Sequence, residues 1–323
     1  MSHTSTKLTL LPSEGPFAAA IDTLLRYAPF PCHLVLLGES GVGKTTLARL
    51  VHERSRVANG PFETVNLAGL DDDLANSELM GHERGAFTGA YGRHLGAFER
   101  SHGGTLFLDE VGKLSIPIQK KILTVIDDGL VRRVGGQRDI PVRVRHIFAA
   151  NESLETLVHE GKLLPEFEAR LQFQRIRVPS LRERREEIPM LFADLLRRHA
   201  PQYGYPARPP IATDPLVERL QSMRWPGNVR SLENLAIRLL QDASGSQTLG
   251  PELFTTDLEG YCGGTLFSTT PTVSRRDRIV GALREASGNV TRAAELLGCS
   301  RSTIYLWMRE DSIAADACPD RTA

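Results

Sequence analysis

The sequence lacks the residue patterns that mark a structural metal site or a disulfide framework. Its four cysteines, Cys32, Cys262, Cys299 and Cys318, form no CxxC pair and have no histidine at metal-ligand spacing. Isolated cysteines of this kind are typical of reduced thiols in a cytoplasmic protein. The nine histidines show no HExxH or similar pattern, so we expect no metal site built from histidine.

Long hydrophobic runs are also missing. No apolar stretch approaches the ~18 residues that would predict a membrane-spanning helix. The run LTLLP near the start is too short for the apolar core of a signal peptide. We therefore expect no membrane partner.

Neither sign of charge is in excess, because 39 basic residues balance 39 acidic ones. A net charge of zero does not exclude nucleic-acid binding, since a basic face can be local. The 323 residues are 41% hydrophobic and 24% charged, which is ordinary for a globular protein. This length has room for one large domain and one or two small ones.

Apolar runs and helical periods alternate through the first part of the chain. Strands that alternate with helices predict an α/β fold with a mostly parallel sheet covered on both faces. The strand candidates are residues 32–40, 62–66, 105–110, 142–151 and 173–180, and the helix candidates are residues 15–28, 43–55 and 116–129.

The strand signals end at about residue 180. Residues 181–244 contain three helical periods and predict a small all-α subdomain. Residues 245–272 are rich in Gly, Ser and Thr and are interpreted as a linker. A compact helical block follows over 273–311, and residues 312–323 form a tail without periodicity.

The run GESGVGKT matches the phosphate-binding pattern G-x-x-x-x-G-K-[ST]. It follows a predicted strand and opens a predicted helix, which is the context of a P-loop rather than of a simple glycine-rich turn. Backbone amides of such a loop surround phosphate oxygens, Lys44 neutralises the β- and γ-phosphates, and the Thr45 hydroxyl can bind Mg²⁺. The predicted cofactors are ATP and Mg²⁺. The predicted binding residues are Gly38, Glu39, Ser40, Gly41, Val42, Gly43, Lys44, Thr45 and Thr46.

An acidic pair, Asp109 and Glu110, ends the apolar run TLFLDE. It therefore lies at the carboxyl end of a predicted strand, where α/β sheets bind their ligands. We expect Asp109 to hold Mg²⁺ through water and Glu110 to polarise the attacking water. An acidic pair alone could be a solvated strand end, but a P-loop upstream favours the catalytic interpretation.

Two asparagines, Asn66 and Asn151, end two other predicted strands. If these strands flank the P-loop strand, both amides point to the γ-phosphate, where one could hold the water or gate Glu110. Taken singly, each asparagine is more typical of a turn or a helix cap.

Five segments in order resemble one known family: ELMGHERGAFTGA, HGGTLFLDE, RRVGG, PSLRERREEIP and WPGNVRSLEN. They resemble the bacterial enhancer-binding proteins, which are AAA+ activators of sigma-54 RNA polymerase, and GAFTGA is that family's own signature. The resemblance covers residues 8–311. It implies an AAA+ nucleotide-binding subdomain over 8–180, a helical lid over 181–244, and ATP hydrolysis in a ring that we expect to be a hexamer.

In the resembled family GAFTGA is the tip of a surface loop that contacts the sigma factor and moves with the nucleotide state. Phe87 would be the apolar contact and Thr88 its partner, and the two glycines would give the loop backbone freedom. A loop packed only on its own domain is the alternative. The implied sigma-54 contacts are Gly85, Ala86, Phe87, Thr88, Gly89 and Ala90.

The resemblance also implies two arginine roles. Arg230 in WPGNVR matches the lid arginine that senses nucleotide and reaches the phosphates, although a structural ion pair is the alternative. Arg170 matches the second of two arginine fingers that reach the ATP of a neighbouring subunit. The other roles assigned above, including Asn66 and Asn151, carry over unchanged.

The chain departs from the family pattern at three positions. Thr45 follows the P-loop lysine where the family has Glu, and Ala150 stands where the family has Thr. Leu164 stands where the first arginine finger is expected. A trans arginine contributes ~10³–10⁵ in rate in related phosphoryl-transfer systems, so self-sufficient hydrolysis is an open question.

Residues 273–311 predict three helices that resemble the Fis-type DNA-binding end of the same family. Asn289 caps the second helix and Ser300 caps the third, which would enter the major groove of double-stranded DNA. A three-helix protein-binding module is the alternative. One such unit reads one half-site, so at least a dimer is needed. The predicted DNA contacts are Arg301, Ser302, Thr303 and Tyr305 near the bases and Arg292 and Arg309 at phosphates.

Two functions stay open at this point. The first is a transcription activator that binds an upstream DNA element and remodels sigma-54 RNA polymerase by hydrolysing ATP in a homo-oligomeric ring. The second is a weakly hydrolysing regulatory subunit of a mixed ring, in which a paralogue supplies the missing arginine. An AAA+ chaperone or replication loader should lack both GAFTGA and the helix-turn-helix. Residues 1–31 are too few for a receiver domain, so we expect control by expression level or by a partner protein in trans.

Overall fold

The computed structural model describes residues 14–171, 174–205, 208–243 and 247–253. The chain divides into two compact units, residues 1–254 and 255–323, and the described residues all lie in the first. The predicted helix-turn-helix with its DNA contacts, most of the predicted linker and the tail lie outside the described residues.

Eleven strands and ten α-helices make up the described part of the chain. In chain order they are α1 (Pro16–Tyr27), β1 (Leu34–Leu37), α2 (Lys44–Glu53), β2 (Phe62–Asn66), α3 (Asp72–Met80), β3 (Gly81–His82), β4 (His94–Leu95), α4 (Ala97–Arg100), β5 (Thr105–Asp109), α5 (Ile116–Asp128), β6 (Leu130–Arg132), β7 (Asp139–Pro141), β8 (Arg145–Ala150), α6 (Leu154–His159), α7 (Pro165–Arg170), β9 (Arg175–Arg177), α8 (Ile188–His199), β10 (Ile211–Ala212), α9 (Asp214–Ser222), α10 (Asn228–Asp242) and β11 (Thr248–Leu249).

A five-stranded parallel sheet in the order β2-β5-β8-β1-β9 is the centre of the fold. Every residue of β8 is buried, and so are four of the five in β5. Strands of this kind are largely apolar because helices cover both faces of the sheet, although β8 begins with the buried polar residues Arg145 and His146. The predicted parallel α/β sheet is therefore confirmed.

The two faces of the sheet have separate cores. Successive strand residues point to opposite faces, so Val35 joins one core while Leu34 and Leu36 join the other. Helices α1 and α2 cover the face of Leu34 and Leu36. Helices α3 to α7 cover the face of Val35. This arrangement places the turns after β1, β5 and β8 together at the carboxyl edge of the sheet.

Two short antiparallel hairpins extend from the sheet, and periodicity in the sequence does not predict them. Strands β3 and β4 pair at the base of the segment that contains GAFTGA. Strands β6 and β7 pair around the segment that contains RRVGG. A bridge between His82 and Val134 joins the two hairpins.

The lid contains the three predicted helices, α8, α9 and α10. It is not all-α, however, because β10 and β11 form a short parallel pair. Residues 247–253, which the sequence analysis assigns to the linker, fold with the lid, and Leu249 is fully buried. A pairing of two residues per strand is too short to leave a period in the sequence. Within the described ranges, every helix is too short or too polar to cross a membrane.

Candidate nucleotide site and surface loop

The P-loop connects β1 to α2 at the carboxyl edge of the sheet. Helix α2 begins at Lys44, and Gly43 precedes it in the left-handed conformation at a φ of 104°. A cavity of about 270 Å³ opens above this turn. It is lined by Ser40, Gly41, Gly43, Lys44, Thr45, Thr46, Asn66, Asp109, Glu110, Asn151, Val229, Arg230 and Glu233. Gly38, Glu39 and Val42 lie in the same loop, where Val42 packs into the core beneath.

Lys44 is the buried cation of this cavity, with 6% of its surface exposed. Its ammonium donates hydrogen bonds to the Gly38 carbonyl at 2.7 Å, to the Glu39 carbonyl at 3.2 Å and to Asn151 Oδ1 at 2.6 Å. Burial lowers the pKa of Lys44 from its ordinary value, while the Asp109 carboxylate opposes this shift. Phosphate oxygens in the cavity would stabilise the ammonium further, because they bring negative charge into a site of low solvation.

The acidic pair lies where β5 ends. Glu110 leaves the strand at a φ of 60°, and its backbone N–H donates to Asp109 Oδ1 at 3.0 Å. Burial raises the pKa of Asp109, with Lys44 acting against the shift. A nearby cation would lower that pKa again.

The donor set of the cavity fits Mg²⁺ only with help from phosphates. Thr45 and Asp109 offer one hydroxyl and one carboxylate, and both line the cavity. Within the described ranges no group of three or more His, Cys, Asp or Glu residues could hold a metal ion. This suits Mg²⁺, which proteins bind through one or two carboxylates together with substrate phosphates and water.

The condition that the strands of both asparagines flank the P-loop strand is met for Asn151 but not for Asn66. Strand β8, which precedes Asn151, pairs with β1, but β5 and β8 lie between β2 and β1. Asn66 still reaches the cavity because it is in register with Asp109 on β5. Its Oδ1 accepts a hydrogen bond from the Ala68 N–H at 2.9 Å, as in an asparagine turn.

The lid docks on the P-loop through the first turn of α10. Arg230 Nη1 donates to Ser40 Oγ at 3.2 Å, and the Val229 N–H donates to the Gly41 carbonyl at 3.0 Å. Gly41 has a φ of 77°, and a Cβ there would lie 2.2 Å from the Gly227 carbonyl oxygen. Only glycine permits both this backbone conformation and the close approach of the lid.

Sequence reasoning missed three further residues that join the lid to the P-loop. Asn228 is fully buried and donates to the Ser40 carbonyl at 2.9 Å. Arg182 donates to the Glu39 carboxylate at 2.8 Å. Arg184 is buried, donates to the Val42 carbonyl at 2.9 Å and lies 3.7 Å from the centre of the Phe17 ring. The segment RERREE contains three arginines and three glutamates. No spacing marks Arg184 among them, so its role depends on the tertiary fold.

The two positions that the resemblance relates to arginine fingers lie outside the cavity above the P-loop. Arg170 ends α7 and forms an ion pair with Asp127 of α5 at 2.8 Å. Leu164 precedes α7 and packs against the core. Arg170 is half exposed and does not line the nucleotide cavity.

The GAFTGA segment forms a closed turn on the surface between β3 and β4. The Gly85 N–H donates to the Ala90 carbonyl at 2.9 Å, and Gly85 and Gly89 have φ values of 80° and 106°. Phe87 is 45% exposed and its ring meets that of His82 edge-on at 4.9 Å. Thr88 is also exposed, Ala86 is half-buried and Ala90 is buried.

The base of this turn rests on a buried arginine from the second hairpin. Arg133 is 8% exposed, and its guanidinium donates to Glu99 Oε1 at 2.7 Å and to Glu83 Oε1 at 2.7 Å. Gly135 lies against Ala86, since a Cβ on this glycine would come within 2.8 Å of the Ala86 Cβ. The RRVGG segment therefore packs against the base of the GAFTGA turn, through Arg133 on Glu83 and Gly135 on Ala86.

Comparison with known families assigns each part of the chain. The family model described as the sigma-54 interaction domain matches residues 11–177. The AAA+ ATPase lid domain matches residues 182–260, and the bacterial regulatory protein Fis family matches residues 276–310. The last match confirms the predicted fold class of the segment that lies outside the described residues.

Curated relatives match over most of this chain but are longer. The Nif-specific regulatory protein of Azotobacter vinelandii is 40% identical over 286 residues, which cover 86% of this chain and 54% of the relative. The DNA-binding transcriptional regulator NtrC of Escherichia coli K12 is 37% identical over 304 residues, which cover 86% of this chain and 64% of the relative. The chain thus spans between half and two thirds of the length of these relatives.

Solved structures show the same fold. NtrX of Brucella abortus in complex with ATP superimposes with a TM-score of 0.70 at 31% identity, over 93% of this chain and 68% of NtrX. Its complex with ADP gives a TM-score of 0.71 at 30% identity, over 94% and 70%. With its P-loop, acidic pair, GAFTGA turn and lid in the positions described, the chain belongs to the family of proteins that carry the AAA+ sigma-54 interaction domain.

Proposed function

We propose that this chain is a DNA-bound transcription activator that hydrolyses Mg²⁺·ATP in a ring and remodels sigma-54 RNA polymerase. The nucleotide cavity carries the proposal. Lys44, Asp109, Glu110 and Asn151 come from three different strand ends and converge on one space, which the lid closes through Arg230. The NtrX complexes with ATP and ADP, which share this fold, support nucleotide binding.

The chemistry follows from the positions of the side chains. Lys44 and the amides of the P-loop bind the β- and γ-phosphates. Glu110 polarises a water molecule for attack on the γ-phosphate, with Asn66 and Asn151 beside it. Mg²⁺, when bound by Thr45 and Asp109, would neutralise charge that develops on the phosphates. Arg170 acts on the ATP of a neighbouring subunit, since it lies away from its own cavity.

The exposed GAFTGA turn is the proposed contact with sigma-54. Phe87 and Thr88 present an apolar ring and a hydroxyl to solvent, and an exposed apolar tip is typical of a protein-binding site. The Fis-type segment, residues 276–310, is the proposed DNA-binding part, with Arg301 near the bases. The proposed setting is the cytoplasm.

ATP turnover per subunit across a wide protein concentration range tests the ring. A trans arginine requires neighbours, so turnover should rise with concentration, and Glu110→Gln should abolish it. Turnover that stays constant on dilution would contradict a ring mechanism.

Thr88→Ala should leave turnover intact and abolish promoter opening, whereas loss of both activities would make the turn structural. Arg301→Ala should weaken DNA binding and spare turnover.

A second candidate function is a weakly hydrolysing subunit of a mixed ring. Leu164 favours it, because this side chain packs against the core and offers no guanidinium to a neighbour. In that case a paralogue would supply the first arginine finger, and this chain would contribute its nucleotide site, GAFTGA turn and DNA-binding segment.

Leu164→Arg distinguishes the two functions within one protein. If the missing finger limits hydrolysis, the variant should raise turnover at least ~10-fold, given the rate contribution of trans arginines. Leu164→Lys is the matched control, since it adds charge without the planar fork of arginine. Efficient wild-type turnover with no gain from Leu164→Arg would favour the self-sufficient ring.

A further inference from the structure

Gln119 is a fully buried polar side chain near the start of α5, and both the nitrogen and the oxygen of its amide form hydrogen bonds. Its Nε2 donates to the Leu114 carbonyl at 2.8 Å and to the Lys162 carbonyl at 2.7 Å. Its Oε1 accepts from the Leu164 N–H at 2.8 Å. A buried amide with three good hydrogen bonds fixes the relative position of the segments it joins.

One of the joined segments follows the proposed catalytic carboxylate. Residues Val111–Lys113 form a single 3₁₀ turn directly after Glu110. The Lys113 N–H donates to the Glu110 carbonyl at 2.9 Å, and the Leu114 N–H donates to the Val111 carbonyl at 3.2 Å. These backbone bonds hold the turn without help from Gln119, so the turn can serve as a fixed anchor for it.

The other segment leads directly into α7, the helix that ends at Arg170. Helix α7 has six residues, or about 9 Å of length, so its direction depends on a few anchors. Phe167 is buried below it and Glu168 pairs with Arg175 of β9. Gln119 binds both backbone groups that flank Leu163, just before the helix begins. A shift at this point would therefore be carried to Arg170 at the other end.

We propose that Gln119 is a positioning residue that anchors the arginine-finger helix to the turn after Glu110, and so sets where Arg170 reaches the ATP of the neighbouring subunit. The inference rests on the proposed ring function. A glutamine that only filled space could be replaced by methionine, which has a similar length and suits irregular cores. The three hydrogen bonds make the replacement informative.

Subunit mixing separates positioning in trans from loss of stability. Gln119→Met should lower turnover at least about 10-fold while the KM for ATP changes less than about 3-fold, because the subunit's own site is untouched. Glu110→Gln subunits cannot hydrolyse ATP but keep Gln119 and Arg170. Adding them to Gln119→Met subunits should restore turnover, since they present a well-placed Arg170 to intact sites. Arg170→Ala, mixed in the same way, is the matched reference.

Two outcomes overturn different claims. If mixing restores Arg170→Ala but not Gln119→Met, Gln119 acts within its own subunit and the inference fails, while the ring stands. If mixing fails to restore Arg170→Ala, the trans mechanism itself fails, and the inference with it.

Should Gln119→Met not fold, a second variant tests the same anchor. Leu164→Pro removes the N–H that donates to Gln119 Oε1 and leaves the glutamine in place. Leu164 has a φ of −69°, which proline adopts. This variant should also lose turnover and regain it on mixing, and unchanged turnover would refute the inference.

Discussion

Lys44 and Asn151, which are 107 residues apart in sequence, are joined by a hydrogen bond of 2.6 Å. The bond ties the P-loop to the end of β8, the strand that pairs with β1. It brings the amide of Asn151 to the same cation that is expected to hold the phosphates. Binding of phosphate and placement of the amide are therefore coupled through one ammonium group.

Asn151→Ala should reduce the rate constant of ATP hydrolysis more than nucleotide affinity. Lys44 keeps its bonds to the Gly38 and Glu39 carbonyls, so we expect the proposed β-phosphate position to survive. The proposed γ-phosphate side of the cavity loses its amide, and we expect kcat to fall about 10-fold, equivalent to one hydrogen bond to a charged group. Steady-state turnover and calorimetric ADP titration measure the two quantities. Asn76→Ala is the control, because Asn76 also accepts from a lysine, Lys121, but away from the cavity.

A comparable fall in ADP affinity and in kcat would contradict this assignment. It would mean that Asn151 acts only by holding Lys44 in place, and that the amide has no separate role at the γ-phosphate.

Gly41→Ala should prevent the lid from docking. The added Cβ would lie 2.2 Å from the Gly227 carbonyl oxygen, so either the P-loop or the first turn of α10 must move. We expect ATP affinity to fall at least about 10-fold, because Arg230 and Asn228 lose their contacts with Ser40. Gly103→Ala is the matched control, since Gly103 also has a positive φ, 75°, but its Cβ would meet nothing within 4 Å. Unchanged ATP affinity in Gly41→Ala would show that lid docking does not support binding.

Arg133→Met should destabilise the fold far more than Arg132→Met, although the two residues are adjacent. Arg133 is buried and the Glu99 side chain is only 10% exposed, so the variant leaves a largely buried carboxylate without its partner, which costs about 3 kcal/mol. Arg132 pairs with Asp139 on the surface, where solvent screens the charges and the loss should be small. Urea unfolding of both variants measures the difference. Equal stability of the two would show that Glu99 finds another partner.

Local patterns predicted much of the fold and of the site. The P-loop, the acidic pair and Asn151 follow strands whose apolar runs are visible in sequence, and the three lid helices have regular periods. Local sequence patterns do not predict the order of the strands in the sheet, because long crossover connections leave open which parallel strands become neighbours. Asn66 shows the consequence, since it reaches the cavity from β2 without flanking β1.

Buried polar residues escaped the sequence analysis for a different reason. Arg184 and Gln119 stand among other charged and polar residues in their segments, and no spacing distinguishes them. Their roles come from backbone carbonyls that are distant in sequence, such as Val42 for Arg184 and Lys162 for Gln119. Such partners become visible only when the fold brings the segments together.

A buried histidine at the opposite edge of the sheet makes the stability of the protein depend on pH. His146 is the second residue of β8, and its ring centre lies 5.7 Å from that of Phe98 and 6.0 Å from that of Phe148. A hydrogen bond of 3.3 Å joins its Nδ1 to Nδ1 of His33. Burial lowers the pKa of His146 from 6.5 to about 3, and the neighbouring His33 acts in the same direction. Burial also lowers the pKa of His33.

His146→Leu should therefore reduce the acid sensitivity of folding. Between pH 6.5 and about 3 the unfolded chain binds a proton on this histidine and the folded chain does not, so stability falls as the pH falls through 6.5. From pH 7.5 to 5.5 one such group lowers the free energy of unfolding by about 1.4 kcal/mol. Urea unfolding at the two pH values measures the drop in the free energy of unfolding, which should be smaller by about this amount in His146→Leu than in the wild type. Any packing cost of the substitution is the same at both pH values and cancels in this comparison. His159→Leu, at an exposed site, controls for removing a histidine and should keep the wild-type difference. An equal loss in His146→Leu and wild type would mean that the ring is already protonated in the folded protein.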